Sequence, residues 1–351
     1  MKYLAILLLF IPLSFIGDYL DMDDSLIFVT ACIAIVPLAV LISDATEQIA
    51  NYTGSKIGGL LNATMGNIPE FFIGLFGLQA GLHQLVLASM AGSIMGNIMF
   101  VLGVSIFCGG LVHSTQTFDK TIARSNFSLL CFAAISLIVP LAFKLTNDNP
   151  AKLDQGLAVI SLSIALILLV IYVMGLVFSL IMQKNLFLEH DSDDYEKRAK
   201  WSLPHAIGLL AIASFLVAIE SELLISKVEA AVRDLQLPEL FIGIIIVPIL
   251  GNVAEHTSAI LMAMRNKIDI SVEIAVGSSM QIAMFVAPLL ILISFAMGHP
   301  LTYVYEPFEV IAVITGILLS LYVFQDGKTY WLEGALLTFT YVVFCVAFFY
   351  K

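Results

Sequence analysis

Charge is what this sequence has least of: Asp, Glu, Lys and Arg together make up 12% of its 351 residues, whereas soluble domains carry about 25%. Hydrophobic residues make up 60%, and the mean hydropathy is +0.99. This shortage of charge excludes an ordinary soluble protein and predicts an all-α polytopic membrane protein. Basic residues are the scarcer sign, 16 against 27 acidic residues, so no surface for nucleic acid is predicted.

Cysteine is also scarce, and its spacing excludes further classes of protein. The four cysteines lie in apolar segments, without a CxxC pair or a nearby histidine pattern, at Cys32, Cys108, Cys131 and Cys345. This distribution predicts buried thiols and excludes a disulfide framework or a zinc site. No Ser/His or Asp/Asp pair is surrounded by residues typical of a catalytic site, so the sequence indicates neither an enzyme nor a cofactor.

Long apolar runs take the place of the missing charge. A membrane-spanning helix needs about 20 apolar residues. The sequence predicts eleven such helices, near residues 2–17, 25–48, 57–79, 85–112, 124–145, 155–183, 203–231, 238–264, 271–297, 305–324 and 330–350. With a cytoplasmic N-terminus, eleven of the sixteen basic residues fall in cytoplasmic segments. This bias follows the positive-inside rule and predicts that the C-terminus lies outside.

The predicted helices divide into one extra helix and two equal sets. Residues 1–20 predict a retained transmembrane helix, because a signal peptide would need a small-residue cleavage site that is missing before Asp18. An acidic cytoplasmic linker, residues 184–202, separates helices 2–6 (residues 21–183) from helices 7–11 (residues 203–351). Five helices in each set would make the second set enter the membrane from the opposite face, which predicts an inverted repeat.

A short motif occurs once in each set. Gly-Asn-Ile-Pro-Glu at Gly66–Glu70 is followed 185 residues later by Gly-Asn-Val-Ala-Glu at Gly251–Glu255. The same shift pairs further polar or small residues: Asp44 with Glu229, Gly58 with Gly243, Gly92 with Gly277 and Ser93 with Ser278. Periodic Leu and Ile would match at any shift, whereas Gly, Asn and acidic residues would not. The sequence therefore predicts a duplicated site.

The two motifs carry the predicted chemistry. A carboxylate at mid-membrane costs about 2.5–3.5 kcal/mol. Glu70 and Glu255 have no basic residue to pair with in their own predicted helices, because residues 57–79 and 238–263 contain neither Lys nor Arg. Two facing carboxylates raise each other's proton affinity, and their oxygens suit a hard dication such as Ca²⁺. The predicted metal site comprises Glu70, Glu255, Asn67, Asn252, Gly66 and Gly251. Such a site holds either a dication or protons.

Weaker polar positions predict the surroundings of that site. Asn97 and Gln281, beside the paired Ser93 and Ser278, are expected to bond the carboxylates or reach the cation; the alternative for these blocks is helix packing. Further candidates for a proton or cation pathway are Asp44, Glu229, Glu222 and His256. For Glu222 the alternative is a solvated helix end, and His256 lies about 100° around the helix from Glu255.

The paired motifs resemble those of the cation/proton exchanger family, the Ca²⁺/H⁺ antiporters of the wider cation/Ca²⁺ exchanger superfamily. The resemblance covers nearly the whole chain. It implies eleven helices with a ten-helix core, Glu70 and Glu255 as the shared Ca²⁺ and H⁺ ligands, and alternating access by sliding of helices 2 and 7. Ile68–Pro69 departs from the small or β-branched residues usual there, which makes the bend before Glu70 a point of difference.

The function expected from residues and resemblance together is a Ca²⁺/H⁺ antiporter in a lipid bilayer, in a prokaryotic cell membrane, that exports Ca²⁺. Its partners are Ca²⁺ as the transported ion and H⁺, and a homo-oligomer is left open. The alternatives are a Na⁺/Ca²⁺ exchanger or another divalent cation/proton exchanger. A cation channel would need a continuous polar stripe, whereas polarity here is concentrated at mid-depth.

Overall fold

The protein is helical along nearly all of the chain that the computed structural model describes, which comprises residues 6–118, 120–147, 149–182 and 200–351. The predicted acidic linker lies almost entirely outside these residues. The helices are α1 Phe10–Tyr19, α2 Asp24–Met65, α3 Ile68–Gln79, α4 His83–Val112, α5 Lys120–Thr146, α6 Pro150–Met182, α7 Leu203–Ser226, α8 Val228–Asp234, α9 Glu239–Gly251, α10 Val253–Met264, α11 Ile268–Ala296, α12 Pro307–Val323 and α13 Trp331–Phe349. Two short strands, β1 Gln116–Thr117 and β2 Lys328–Thr329, pair antiparallel.

Length and apolarity make the chain an integral membrane protein. Among the described residues, seven helices are long and apolar enough to cross a membrane, or eight if the pair α9–α10, bent by 62°, counts as one span. The shorter helices α3 and α12 are also apolar. Exposed large hydrophobic side chains on α6, α12 and α13, such as Val170, Leu318 and Phe339, suit a lipid-facing surface.

Helix boundaries differ from the predicted ones at two places. The predicted loop between residues 48 and 57 is helical within α2 and is interrupted only at Gly54, whose φ of 82° and ψ of 167° are accessible to glycine without steric cost. The predicted seventh helix ends at Ser226, not at residue 231, and Lys227 separates it from the short helix α8. Glu229 therefore lies outside α7.

The helices of the protein pack in two groups. Helix α2 packs along α7, and α3 packs on the same helix. The C-terminal half of α4 packs against α13 and α10, and the N-terminal half of α11 packs on α5 and α10. The largest apolar core is built mainly from α4, α5, α11, α12 and α13. The α2–α7 pair thus forms one packing unit beside this core.

Helices α4 and α9 cross at a contact that requires glycine. A Cβ at Gly92 would collide with the backbone of Ile244, and a Cβ at Gly243 would meet Ala88 at 2.9 Å. Close approach of backbones at small residues is how membrane helices gain packing energy without a hydrophobic driving force. This crossing holds α9, and hence the second motif, against α4.

Gly92→Ala is expected to lower the stability of the folded protein by about 1–3 kcal/mol, because backbone atoms cannot yield as a flexible side chain does. The matched control is Gly96→Ala in the same helix, where no atom lies within 4 Å of the added Cβ. Thermal unfolding in detergent, followed by size-exclusion chromatography, measures both variants. Equal unfolding midpoints for the two variants would contradict this packing.

Candidate functional site

The two motifs adopt the same backbone geometry. Asn67 has φ −98° and ψ 19°, and Asn252 has φ −98° and ψ 11°. Each asparagine ends one helical segment, and a new helix begins at the next residue, so that Glu70 and Glu255 both lie in a first helical turn. A helix N-terminus carries partial positive charge and favours a carboxylate there. The sequence-predicted breaks therefore place each glutamate beside a favourable dipole.

Pro69 fits this arrangement without moving the bend. It lies within the first two positions of α3, where a proline is tolerated because the N–H that it lacks would have no helical partner. Its counterpart in the second motif is Ala254, yet the asparagine dihedrals agree to within 10°. The departure at Ile68–Pro69 is accommodated inside the first turn of the helix.

Glu70 is almost completely buried. Its side chain is 1% exposed, and neither carboxylate oxygen has a hydrogen-bond partner among the described residues. Its Oε1 occupies the position that a Cβ on Gly251 would take, so the carboxylate of the first motif touches the backbone of the second. The two motifs meet in the folded chain.

A chain of polar side chains connects α4 and α11 to the first motif. Asn97 Nδ2 donates to Ser278 Oγ at 3.0 Å, and Ser278 Oγ donates to Asn67 Oδ1 at 3.2 Å. Asn67 Nδ2 in turn donates to Gln281 Oε1 at 2.6 Å. The sequence predicted that Asn97 and Gln281 bond the carboxylates or reach the cation; in this structure their hydrogen bonds go to Ser278 and Asn67.

The second motif is more exposed at its glutamate, and it too contains buried oxygens without hydrogen-bond partners. Glu255 is half-buried, and its Oε2 is buried without a hydrogen-bond partner in the described chain. Asn252 Nδ2 donates to the Pro248 carbonyl at 3.0 Å, while its Oδ1 has no partner there. Ser93 Oγ, also buried, is unpaired as well. Buried polar atoms are ordinarily hydrogen-bonded, so this group of oxygens indicates a site for a ligand.

The backbone near the amides is also irregular. A π-helical turn covers Gly96–Val101 in α4, and another covers Ile282–Val286 in α11. They lie at nearly the same shift of 185 residues that relates the motifs. Such turns occur frequently at functional sites. The first turn contains Asn97, and the second begins directly after Gln281. Residue spacing alone gave no signal for them.

The remaining predicted pathway residues make no hydrogen bond or ion pair with these oxygens among the described residues. Asp44, Glu222 and Glu229 have exposed side chains. His256 is buried, and its ring packs edge-on against Phe100, with ring centroids 6.0 Å apart. Gly66 lies in the turn that precedes Asn67. Among the described residues, no cluster of three or more His, Cys, Asp or Glu side chains is placed to hold a metal ion.

Comparison with known proteins identifies the class of protein that this fold and site define. The sequence profile of the family described as sodium/calcium exchanger protein matches residues 25–181 and 205–350. The match covers most of the chain, and the chain belongs to this family.

Individual relatives narrow the class. The Ca(2+)/H(+) antiporter of Aphanothece halophytica is 39% identical over 98% of this chain and 95% of its own length. The Ca(2+)/H(+) antiporter ChaA of Bacillus subtilis is 40% identical over 97% of this chain and 96% of its own. The solved structure of native YfkE is 38% identical, with a TM-score of 0.85 over 99% of this chain and 100% of YfkE. The resemblance to cation/proton exchangers is confirmed.

Ser278→Ala is expected to destabilise the fold by about 1–3 kcal/mol, because the buried amide of Asn97 loses its acceptor. Ser279→Ala is the matched control, since the Ser279 hydroxyl donates to the Ala275 carbonyl of its own helix at 2.9 Å. Thermal unfolding in detergent compares the two variants. If Ser279→Ala costs as much as Ser278→Ala, the polar chain does not contribute as described.

Proposed function

We propose that this protein is a Ca²⁺/H⁺ antiporter and that Glu70 and Glu255 bind Ca²⁺ and protons in turn. The observation that carries the proposal is that the Glu70 carboxylate touches the second motif at Gly251, and that both motif glutamates have buried oxygens without a hydrogen-bond partner among the described residues. The antiporters to which the chain is similar over nearly its full length support the choice of ions.

The chemistry follows from the charge of the site. Two carboxylates in a medium of low polarity are unfavourable when both are ionised and unpaired. Ca²⁺ removes this cost by coordination, and protons remove it by neutralising the acids. Each occupant excludes the other because both use the same oxygens. An empty site would carry two negative charges, which disfavours reorientation of the protein without a bound ion. This restriction couples the transport of the two ions.

The further Ca²⁺ ligands are assigned from buried oxygen atoms that have no hydrogen-bond partner among the described residues. Asn252 Oδ1 and Ser93 Oγ are buried oxygens without a partner in the described chain, and Ca²⁺ accepts 6–8 oxygen ligands in flexible geometry. Gly66 and Gly251 allow backbone to approach the carboxylates. Asn97, Ser278 and Gln281 hold the Asn67 carboxamide and set its orientation. We assign Asn67 and Asn252 as further ligands of the cation.

The architecture that goes with this function is eleven transmembrane helices, with helices 2–6 and 7–11 as inverted repeats. The equal dihedrals of the two motif asparagines support it. The family match is also divided into two stretches on either side of the linker. The proposed units are residues 1–20, 21–183, 184–202 and 203–351. The N-terminus is assigned to the cytoplasm and the C-terminus to the outside of a prokaryotic cell membrane.

We assign the α2–α7 pair as the part of the protein that moves during alternating access. These two helices pack mainly on each other, on α1 and on the motif helices, so they can slide beside the core as one body. In the inward-open state Glu70 and Glu255 release protons and bind Ca²⁺; in the outward-open state the exchange is reversed. The exposed carboxylates Asp44, Glu222 and Glu229 are assigned to the access routes, and His256 to the wall beside Glu255.

The second candidate is a Na⁺/Ca²⁺ exchanger, an activity that the broad family description names, whereas the similar antiporters support H⁺ as the counter-ion. Purified protein in liposomes, supplied with radiolabelled Ca²⁺, separates the two functions. A pH gradient without Na⁺ is expected to drive uptake. Uptake driven by a Na⁺ gradient alone would replace the first proposal by the second, and flux without any counter-ion would indicate a channel.

Glu70→Gln and Glu255→Gln are each expected to reduce proton-driven Ca²⁺ uptake to background, because a carboxamide neither ionises nor neutralises the dication. The matched control is Glu273→Gln, since Glu273 is an exposed carboxylate in the first half of α11 and should retain uptake. The same liposome assay measures all three. Full exchange in both motif variants would defeat the proposal.

Gly251→Ala is expected to weaken Ca²⁺ binding at least about tenfold, equivalent to about 1.4 kcal/mol, because the new methyl group displaces the Glu70 carboxylate. Gly277→Ala is the control, since no atom lies within 4 Å of its added Cβ. The Ca²⁺ dependence of uptake gives both affinities. An unchanged affinity in Gly251→Ala would show that Glu70 does not bind Ca²⁺ in the position described.

A further inference from the structure

A second fully buried carboxyl lies outside the motif site. Glu220 of α7 is 0% exposed and lies two helical turns before Lys227. Its Oε1 is 2.8 Å from the Ser14 hydroxyl of α1. Its Oε2 is buried and has no hydrogen-bond partner among the described residues. The contact joins the N-terminal helix to α7, one member of the pair assigned to alternating access.

The proton count at Ser14 indicates the charge state of Glu220. Ser14 Oγ is also 2.7 Å from the Ile11 carbonyl oxygen, which accepts hydrogen bonds and never donates them. A hydroxyl has one proton, so it can serve both oxygens only by sharing that proton in a weaker three-centre bond. If Glu220 is protonated, its O–H donates to Ser14 Oγ and the Ser14 hydroxyl donates to Ile11. Both short contacts are then full hydrogen bonds, whereas an ionised Glu220 has to share the Ser14 proton with the Ile11 carbonyl.

The charged surroundings agree with a neutral acid. The ionisable or charged side chains described on the helices that pack against α7 are Asp18, Tyr19, Asp24, Cys32, Asp44, Glu47, Tyr52, Glu70, Glu229, Arg233 and Asp234. None of them forms an ion pair or a hydrogen bond with Glu220. The nearby cations are engaged elsewhere: Lys227 pairs with Asp18 and Asp24, and Arg233 pairs with Asp234. A neutral acid also leaves the unpaired Oε2 as an uncharged carbonyl oxygen.

We propose that Glu220 is a second proton-binding carboxyl of this exchanger, protonated while α1 lies against α7, and that it releases its proton only when these helices separate. Asp18 of α1 pairs at 3.0 Å with Lys227, the residue that directly follows α7, and this contact also ties the two helices together. Ionisation of Glu220 needs water or a donor at both oxygens, and in the closed contact Oε2 is buried without a donor among the described residues. The site takes protons rather than metal ions because it offers one carboxyl and one hydroxyl. This proposal does not depend on which cation the motif site carries.

Infrared difference spectroscopy of reconstituted protein through a pH jump tests this proposal. The background is the double variant Glu70→Gln/Glu255→Gln, in which the motif carboxyls are absent and transport is not required. We expect a C=O band of a protonated carboxyl that is lost in Glu220→Gln. Ser14→Ala should retain the band at a shifted frequency, because the acid loses its hydrogen-bond acceptor. Glu309→Gln, which removes another buried carboxyl, should leave this component in place.

Two results would overturn the proposal. One is a spectrum in which Glu220→Gln removes no protonated-carboxyl component. The other is a component that Glu220→Gln removes but Ser14→Ala does not shift. Glutamine matches the neutral acid in size and can donate to Ser14, so the variant is expected to fold; size-exclusion chromatography of each reconstituted variant verifies this independently of the spectrum.

Discussion

The constraint on which the structure depends is the cost of placing unpaired carboxylates inside a membrane protein. Glu70 is sealed from solvent and lacks a hydrogen-bond partner in the described chain, and its carboxylate lies against Gly251 of the second motif. A fold selected for stability alone would pair or remove such groups. Here the helix N-termini beside the two glutamates reduce the cost without neutralising it. The residual charge is what a transported cation can satisfy.

The helix breaks at the two motifs determine where the carboxylates lie. Asn67 and Asn252 end one helical segment and start another with the same dihedrals, so both glutamates stand in first turns. The glycine crossing of α4 and α9 brings the second motif against the first half of the chain. The site is asymmetric in spite of the repeat: Asn67 is held by Gln281 and Ser278, whereas Asn252 bonds its own helix and leaves an oxygen free.

The sequence predicted that the two motifs lie together, but it did not predict their hydrogen bonds. A repeated Gly-Asn-x-x-Glu at one shift could be found because polar residues in apolar runs are conspicuous, and the structure brings the two copies together. The partners of Asn97 and Gln281 could not be foreseen, because rotamers and the π-helical turns decide which oxygen each amide reaches. The helical stretch up to Gly54 and the end of α7 at Ser226 were missed, because apolar periodicity does not show where a backbone breaks.

The central claim is that one pair of carboxylates holds either protons or Ca²⁺. Its most direct test is the number of protons released when Ca²⁺ binds to the purified protein, measured by titration calorimetry in buffers of different ionisation enthalpy. At a pH where the motif acids are protonated, the account predicts proton release on binding in the wild type. It predicts neither binding nor release in the Glu70→Gln/Glu255→Gln variant. Ca²⁺ binding at such a pH without any release of protons would contradict it.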